Sequence, residues 1–223
     1  MLARIALWAS AGAMTISLLF GVLETLGIGL SIAVELDDIG ERILARFLAA
    51  EESYWLWGRW IDLSGGIGFG LLLIALPALP ASTVARAMLI AGATLALAGE
   101  AIDLSQLAGL EIARVGLDNE LTDVFAAGNV FRFAIGATST FVWISGLFLL
   151  SAGLFLLGRD ATDTRWRLLC LIVAASLLLR GITGPFGDEP PLGLISKVAS
   201  TAFVAAFVGW VAVAASRLEA SGR

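Results

Sequence analysis

The sequence predicts an all-α fold: a polytopic membrane protein of six transmembrane helices in one domain covering residues 1–223. Three observations predict it. Of the 223 residues, 59% are hydrophobic and 15% charged, with a mean hydropathy of +0.93. A soluble domain carries about 25% charged residues and could not hide this much apolar surface from water. The apolar residues come in runs of roughly 20, the length of a bilayer-crossing helix, and not in the alternating segments of about ten that build a barrel. The arginines, finally, are shared unequally between alternate connections. Lipid offers a backbone no hydrogen-bond partner, so each run must close its own bonds as a helix.

The first span is read at 5–33. Arg4 ahead of an apolar run resembles a signal peptide, but the run is too long and Ala9-Ser10-Ala11 falls too early for cleavage, so an uncleaved span is expected. The second span, 57–79, ends at Pro77 and Pro80. The third is 85–107. The fourth, 128–157, runs into the polar stretch 158–164. The fifth, 166–182, is separated by Gly184-Pro185 and Pro190-Pro191 from the sixth, 194–215. Two outer connections carry helical periodicity. In 36–52, Leu36, Ile39, Ile43, Leu44, Phe47 and Leu48 form one stripe, with Asp37, Asp38, Glu41 and Arg42 between them. In 110–125 the same theme is weaker, through Leu117, Leu121 and Val124. Both read as amphipathic outer-surface helices. Helices that adsorb to lipid are usually basic, and these are acidic, so they are expected to pack on the protein's own outer mouth.

Orientation follows from the basic residues. With the N-terminus inside, seven arginines lie inside (Arg4, Arg86, Arg159, Arg165, Arg167, Arg217, Arg223) and three outside (Arg42, Arg46, Arg114). This favours a multi-pass protein of the bacterial inner (plasma) membrane with both termini cytoplasmic. The acids gather outside, six between Glu35 and Glu52 and four between Glu111 and Asp123. Tyr54, Trp55, Trp57 and Trp60 read as an aromatic belt at the outer end of the second span, and Trp166 as one at the inner end of the fifth.

An internal repeat is suggested by spacing. Glu24 and Glu35 are eleven apart, as are Glu100 and Glu111. Laying Glu24 on Glu100 aligns Gly40 with Gly116 and, after a short gap, Arg59 with Arg132. Spans one-two, three-four and five-six would then be three helical hairpins, as in membrane transport folds built from repeats.

Composition also limits the chemistry. There is no histidine and one cysteine, Cys170. Imidazole-held haem or zinc, histidine-dependent triads and an internal disulfide are excluded. Cys170 has no cationic neighbour in sequence and reads as core. No metal, cofactor or nucleic-acid partner is expected. Gly65, Gly66, Gly68 and Gly70 with Ser64 make one side of the second span bare. The Gly66/Gly70 spacing allows close helix approach, and the stretch lacks the Lys-Ser/Thr of a phosphate loop.

What stands out is charge inside the spans. An ionised side chain at a helix centre costs about 2.5–3.5 kcal/mol on insertion scales, so such residues call for partners or a role. They are Glu24, Asp62, Glu100, Asp103, Arg132 and Arg180, with Arg59 and Lys197 nearer the interface. Glu100 and Asp103 share a helix face, so an arginine, Arg132 or Arg180, is expected between them. Two readings stay open. In one, Glu24, Arg59, Asp62, Glu100, Asp103, Arg132 and Arg180 line an outward-facing cavity that binds or transports a small ligand or lipid. In the other they form a structural ion-pair network in an accessory or assembly subunit that meets a membrane-protein partner. Hydroxyls at Thr138, Ser139 and Thr140 either line the same space or bond helix backbone. A catalytic role is not expected, since Glu100 with Asp103 is the sole acid–base pair on offer.

The layout of six spans, the stretch Trp57-Gly58-Arg59 to Gly66 and the segment 146–159 closing the fourth span resemble a bacterial membrane-protein family known as domain of unknown function forty-three eighty-six. The resemblance implies a six-helix membrane fold. It implies no catalytic residues, since the family has no assigned activity.

Overall fold

A computed structural model describes residues 1–26, 47–49, 51–184 and 191–220. Among them there are helices and turns but no strands. We number the helices α1 (Leu2–Thr25), α2 (Arg59–Ala75), α3 (Thr83–Leu104), α4 (Gln106–Asp118), α5 (Thr122–Arg159), α6 (Thr164–Thr183) and α7 (Leu192–Ala220). Six helical runs are long and apolar enough to cross a membrane. They are Leu2–Glu24, Phe47–Ala78, Thr83–Asp118, Thr122–Arg159, Thr164–Thr183 and Leu192–Glu219. The chain is thus a six-span, all-α membrane protein.

The spans pack in chain order. α1 lies on α2, α2 on α3, α3 on α5, α5 on α6 and α6 on α7, and α7 returns to α1, closing a ring. Both termini share one face, where Arg4 and Glu219 pair at 3.2 Å. We call this the terminal face and the other the distal face. Local signals set the ends. The Ser82 side chain accepts the Ala85 N–H to cap α3, and Asp163 caps α6 through the Arg165 N–H at 2.9 Å. Pro77 stops α2 within a short 3-10 turn, Leu76–Ala78.

Along the seam of α3 and α5, glycines let backbones touch. A Cβ at Gly92 would lie 2.5 Å from the Leu150 nitrogen, and one at Gly146 would lie 2.5 Å from the Ala96 nitrogen. The glycine-rich stretch of α2 was expected to make this kind of contact, but it divides between two neighbours. Gly65 and Gly66 face Glu100 of α3, whereas Gly68 faces Met14 of α1. Side chains occupy those gaps, so backbones there stay apart.

Residues from all six spans fill the ring axis toward the terminal face, among them Met14, Leu72, Leu89, Leu150, Leu177 and Phe207. Trp166 belongs to this core. It is 2% exposed and stacks on Trp210 at 5.3 Å. The belt position read for Trp166 is therefore corrected: its ring faces inward, where α6 meets α7. Cys170 is fully buried beside it, its sulfur accepting the Trp210 indole N–H at 3.3 Å.

The distal side differs from expectation in one element. The segment 110–125 is not one surface helix. The chain bends at Ser105, runs as α4 to Asp118, turns through Glu120 with φ 57° and re-enters as the start of α5. Gly109 and Gly116 on α4 and Gly128 on α5 remove the side chains between these arms, so they pack backbone to backbone. α5 has 38 residues, about 57 Å at 1.5 Å per residue, so the hairpin projects well past a hydrocarbon core of about 30 Å. Of 36–52, only 47–49, 51 and 52 are described; the remainder of that segment lies outside the described residues. Phe47 is 3% exposed, packed with Leu110 and Ala113 and edge-on to Phe125 at 5.0 Å. The entry to the second span thus rests on protein.

Candidate functional site

α2, α3, α5, α6 and α7 part toward the distal face around a partly open cavity of about 300 Å³. Four of the seven singled-out charges line it: Asp62, Glu100, Asp103 and Arg180. Ser139, Thr140, Trp143, Ser196 and Ser200 complete its polar wall.

Each carboxylate is held by neutral donors. Trp143 donates its indole N–H to Glu100 Oε1 at 3.0 Å. Asp103 Oδ1 accepts from the Gln106 amide at 2.6 Å and from the Ser139 hydroxyl. The Tyr54 hydroxyl lies 2.9 Å from Asp62 Oδ2 and 3.1 Å from the Asp103 carbonyl oxygen, bridging α2 to α3.

Local structure explains the aim of these groups. Tyr54 opens a π-helical turn, Tyr54–Gly58, just before α2. A Cβ at Gly58 would fall 2.6 Å from the Tyr54 ring, so glycine there is what lets the ring lie flat. The extra residue of a π-turn turns the side chain away from its α-helical direction and points the hydroxyl at Asp62. Glycine acts likewise on α3. A Cβ at Gly99 would lie 2.6 Å from Trp143 Cβ, so its absence seats Trp143 against Glu100.

Arg180 is the cation of the site. Its guanidinium stacks over the Trp143 ring at 4.7 Å. Glu100 acts on it as an opposite charge, yet among the described residues Arg180 makes neither an ion pair nor a hydrogen bond. One ring thus holds Glu100 by its edge and Arg180 by its face. Three carboxyls against one guanidinium leave the wall acidic unless protons or cations are bound.

The other three predicted residues stand apart. Glu24 accepts from the Ser53 hydroxyl at 2.7 Å, tying α1 to the entry of the second span. Arg59 lies over Trp55 and Trp60, at 4.8 and 5.0 Å, with its Nε buried and unbonded. Arg132 lies over Phe133 at 4.9 Å on the α4–α5 seam, again with Nε unbonded. Of the two arginines expected between Glu100 and Asp103, Arg180 lines the cavity with them, though without an ion pair, and Arg132 does not, because Gly109 draws the Arg132 backbone against α4. None of the seven forms an ion pair with another among the described residues. No group of three His, Cys, Asp or Glu suited to a metal ion occurs among them either.

Trp143, Ser196 and Ser200 of the wall, with Gln106 and Tyr54 that hold the acids, carry no charge and are not marked as site residues by the sequence, where Tyr54 reads as part of the aromatic belt. A signal for Tyr54 existed in the neighbouring Gly58, whose bare Cα leaves room for a ring. Comparisons with family models, curated proteins and solved structures return no match.

Proposed function

We propose that this membrane protein binds a small polar ligand or lipid headgroup in the distal cavity, without catalysing its conversion. One observation carries the reading: Asp62, Glu100, Asp103 and Arg180 converge on one cavity, the acids held by neutral donors and Arg180 by the Trp143 ring, instead of neutralising one another. A purely structural network would pair its charges, because an unpaired charge away from water is costly. Charges held ready and separate favour a ligand that brings both signs, or a cation for the acids.

The arginines of the terminal face favour a cytoplasmic location for both termini, in a bacterial inner membrane, with the cavity open to the outside. On this reading membrane lipids and the ligand are the partners.

The test is native mass spectrometry of protein released from its own membranes. A small molecule or specific lipid should co-purify and be lost in Glu100→Gln. A bare wild-type protein, or one holding only another polypeptide, would replace this reading with that of an accessory subunit.

A further inference from the structure

A second cavity, about 220 Å³, opens between α1 and α7 in the distal half. The two helices meet at the terminal face through Arg4 and Glu219 and stand apart here. The walls of the gap are mainly apolar, with Leu18 and Val22 on α1 and Phe203 and Val204 on α7, beside the hydroxyls of Ser17 and Thr201. The gap is not separate from the site described above. Ile61, Arg180, Ser196 and Ser200 line both cavities, so the two adjoin and together reach from the α1–α7 seam to the acidic wall.

The chemistry changes in order along that space. First comes an apolar groove. Then comes a junction carrying Arg180, Lys197 and the hydroxyls of Ser196 and Ser200. Last comes the wall of Asp62, Glu100 and Asp103. An amphiphile with a hydrocarbon chain, then an anionic phosphate, then a terminal ammonium presents the complementary sequence. Resting on the cavity reading above, we propose that the ligand is an amino-phospholipid of the phosphatidylethanolamine type that enters sideways. Its chain lies in the α1–α7 groove, its phosphate at Arg180 and its amine against the three carboxyls. A phosphate with no amine leaves the acids uncompensated, and an amine with no phosphate leaves Arg180 so.

The groove offers a clean perturbation. Gly21 of α1 lines it, and a Cβ there would meet nothing within 4 Å. Gly21→Leu therefore extends a side chain into the groove from a Cβ that meets nothing. Gly12, on the same helix and also open, lies off the groove, so Gly12→Leu is the matched control.

The experiment is native mass spectrometry of the full chain in mild detergent. It is titrated with palmitoyl-oleoyl phosphatidylethanolamine, with the matching phosphatidylglycerol and with chain-free glycerophosphoethanolamine. We expect one phosphatidylethanolamine bound at least tenfold more tightly than phosphatidylglycerol. Gly21→Leu and Asp62→Asn should each weaken it tenfold or more, with Gly12→Leu unchanged. Equal binding of both lipids, or binding indifferent to Gly21→Leu, overturns the lipid assignment. If glycerophosphoethanolamine then binds as tightly as the lipid and is lost in Asp62→Asn, the cavity reading stands while the lateral chain site falls. No binding of any of the three overturns the assignment, and the co-purification test above then decides the cavity reading separately.

Discussion

Trp143 holds two of the four charged groups of the cavity, Glu100 and Arg180, and replacing it by Phe separates its two roles. The indole N–H to Glu100 is a hydrogen bond to a charged group, which contributes about 1.5–3 kcal/mol. The stack on Arg180 contributes about 0.5–2 kcal/mol, and a phenyl ring keeps part of it. Trp143→Phe should therefore cost about 2–4 kcal/mol in unfolding free energy, followed by titration from mild detergent into dodecyl sulfate. Most of that should vanish when Glu100 is already Met, because the indole then has no acceptor to lose. In that background the same change should cost about 1 kcal/mol or less, giving a coupling of about 1–3 kcal/mol between the two positions. Additive effects, with a coupling inside about 0.3 kcal/mol of zero, would refute the claim that Trp143 positions Glu100.

Three further outcomes follow from the geometry. Gly92→Ala and Gly146→Ala each press a methyl into backbone at 2.5 Å, and α3 and α5 must separate by about 1 Å to restore carbon contact. Each should destabilise by about 1–3 kcal/mol or more, against no more than about 0.5 for Gly12→Ala, as read from thermal unfolding in detergent. Gly65→Ala places its methyl 2.9 Å from the Glu100 Oε1 atom, a flexible tip that can swing away. Ligand retention should fall and stability should drop by about 0.5–2 kcal/mol, because the displaced oxygen is the Trp143 acceptor and the helix-propensity gain of about 1 kcal/mol offsets only part of that bond. At the terminal face, Arg217 at 2.8 Å and the Arg165 N–H hold the Asp163 carboxyl below the usual carboxylate range. A depressed folded value means that the contribution is full above the unfolded pKa and is lost as pH falls through the folded one. Asp163→Asn should therefore lower the melting temperature at pH 7 and flatten its decline between about pH 5 and pH 2.

The spans were legible because the bilayer imposes them: length, apolarity and Pro/Gly punctuation are local properties of sequence. Glu100, Asp103, Asp62 and Arg180 were legible for the same reason, since charge inside a span is costly wherever it falls. What sequence could not supply is direction around each helix. Glu24 and Glu100 sit at equivalent depth on α1 and α3, yet only Glu100 turns into the ring, toward Trp143 forty-three residues away. Arg59 and Arg132 keep alike surroundings, each over a neighbouring aromatic ring with its Nε buried. Both nevertheless point away from the cavity. The Ser105 bend and the α4–α5 hairpin were hidden because the apolar stripe continues unbroken through the bend, and the turn at Glu120 has no glycine to announce it.

The division of the ring along its axis bears on mechanism. Toward the terminal face, side chains from every span meet, and the stack Phe203–Phe207–Trp210–Trp166 ties α7 to α6 with centroids 5.3–5.7 Å apart. Toward the distal face, small and hydroxylated residues leave space, and α1 departs from α7. A ligand in the cavity therefore meets the distal side and the lipid seam, but not the terminal side. Passage through the ring would require the aromatic stack to separate, taking α7 from α6, where buried apolar surface opposes it. Binding, presentation or lateral exchange requires only that α1 swing at its distal end, where the gap already lies. The low-cost motion of this architecture is thus between α1 and α7, and a ligand that uses it should arrive from the membrane.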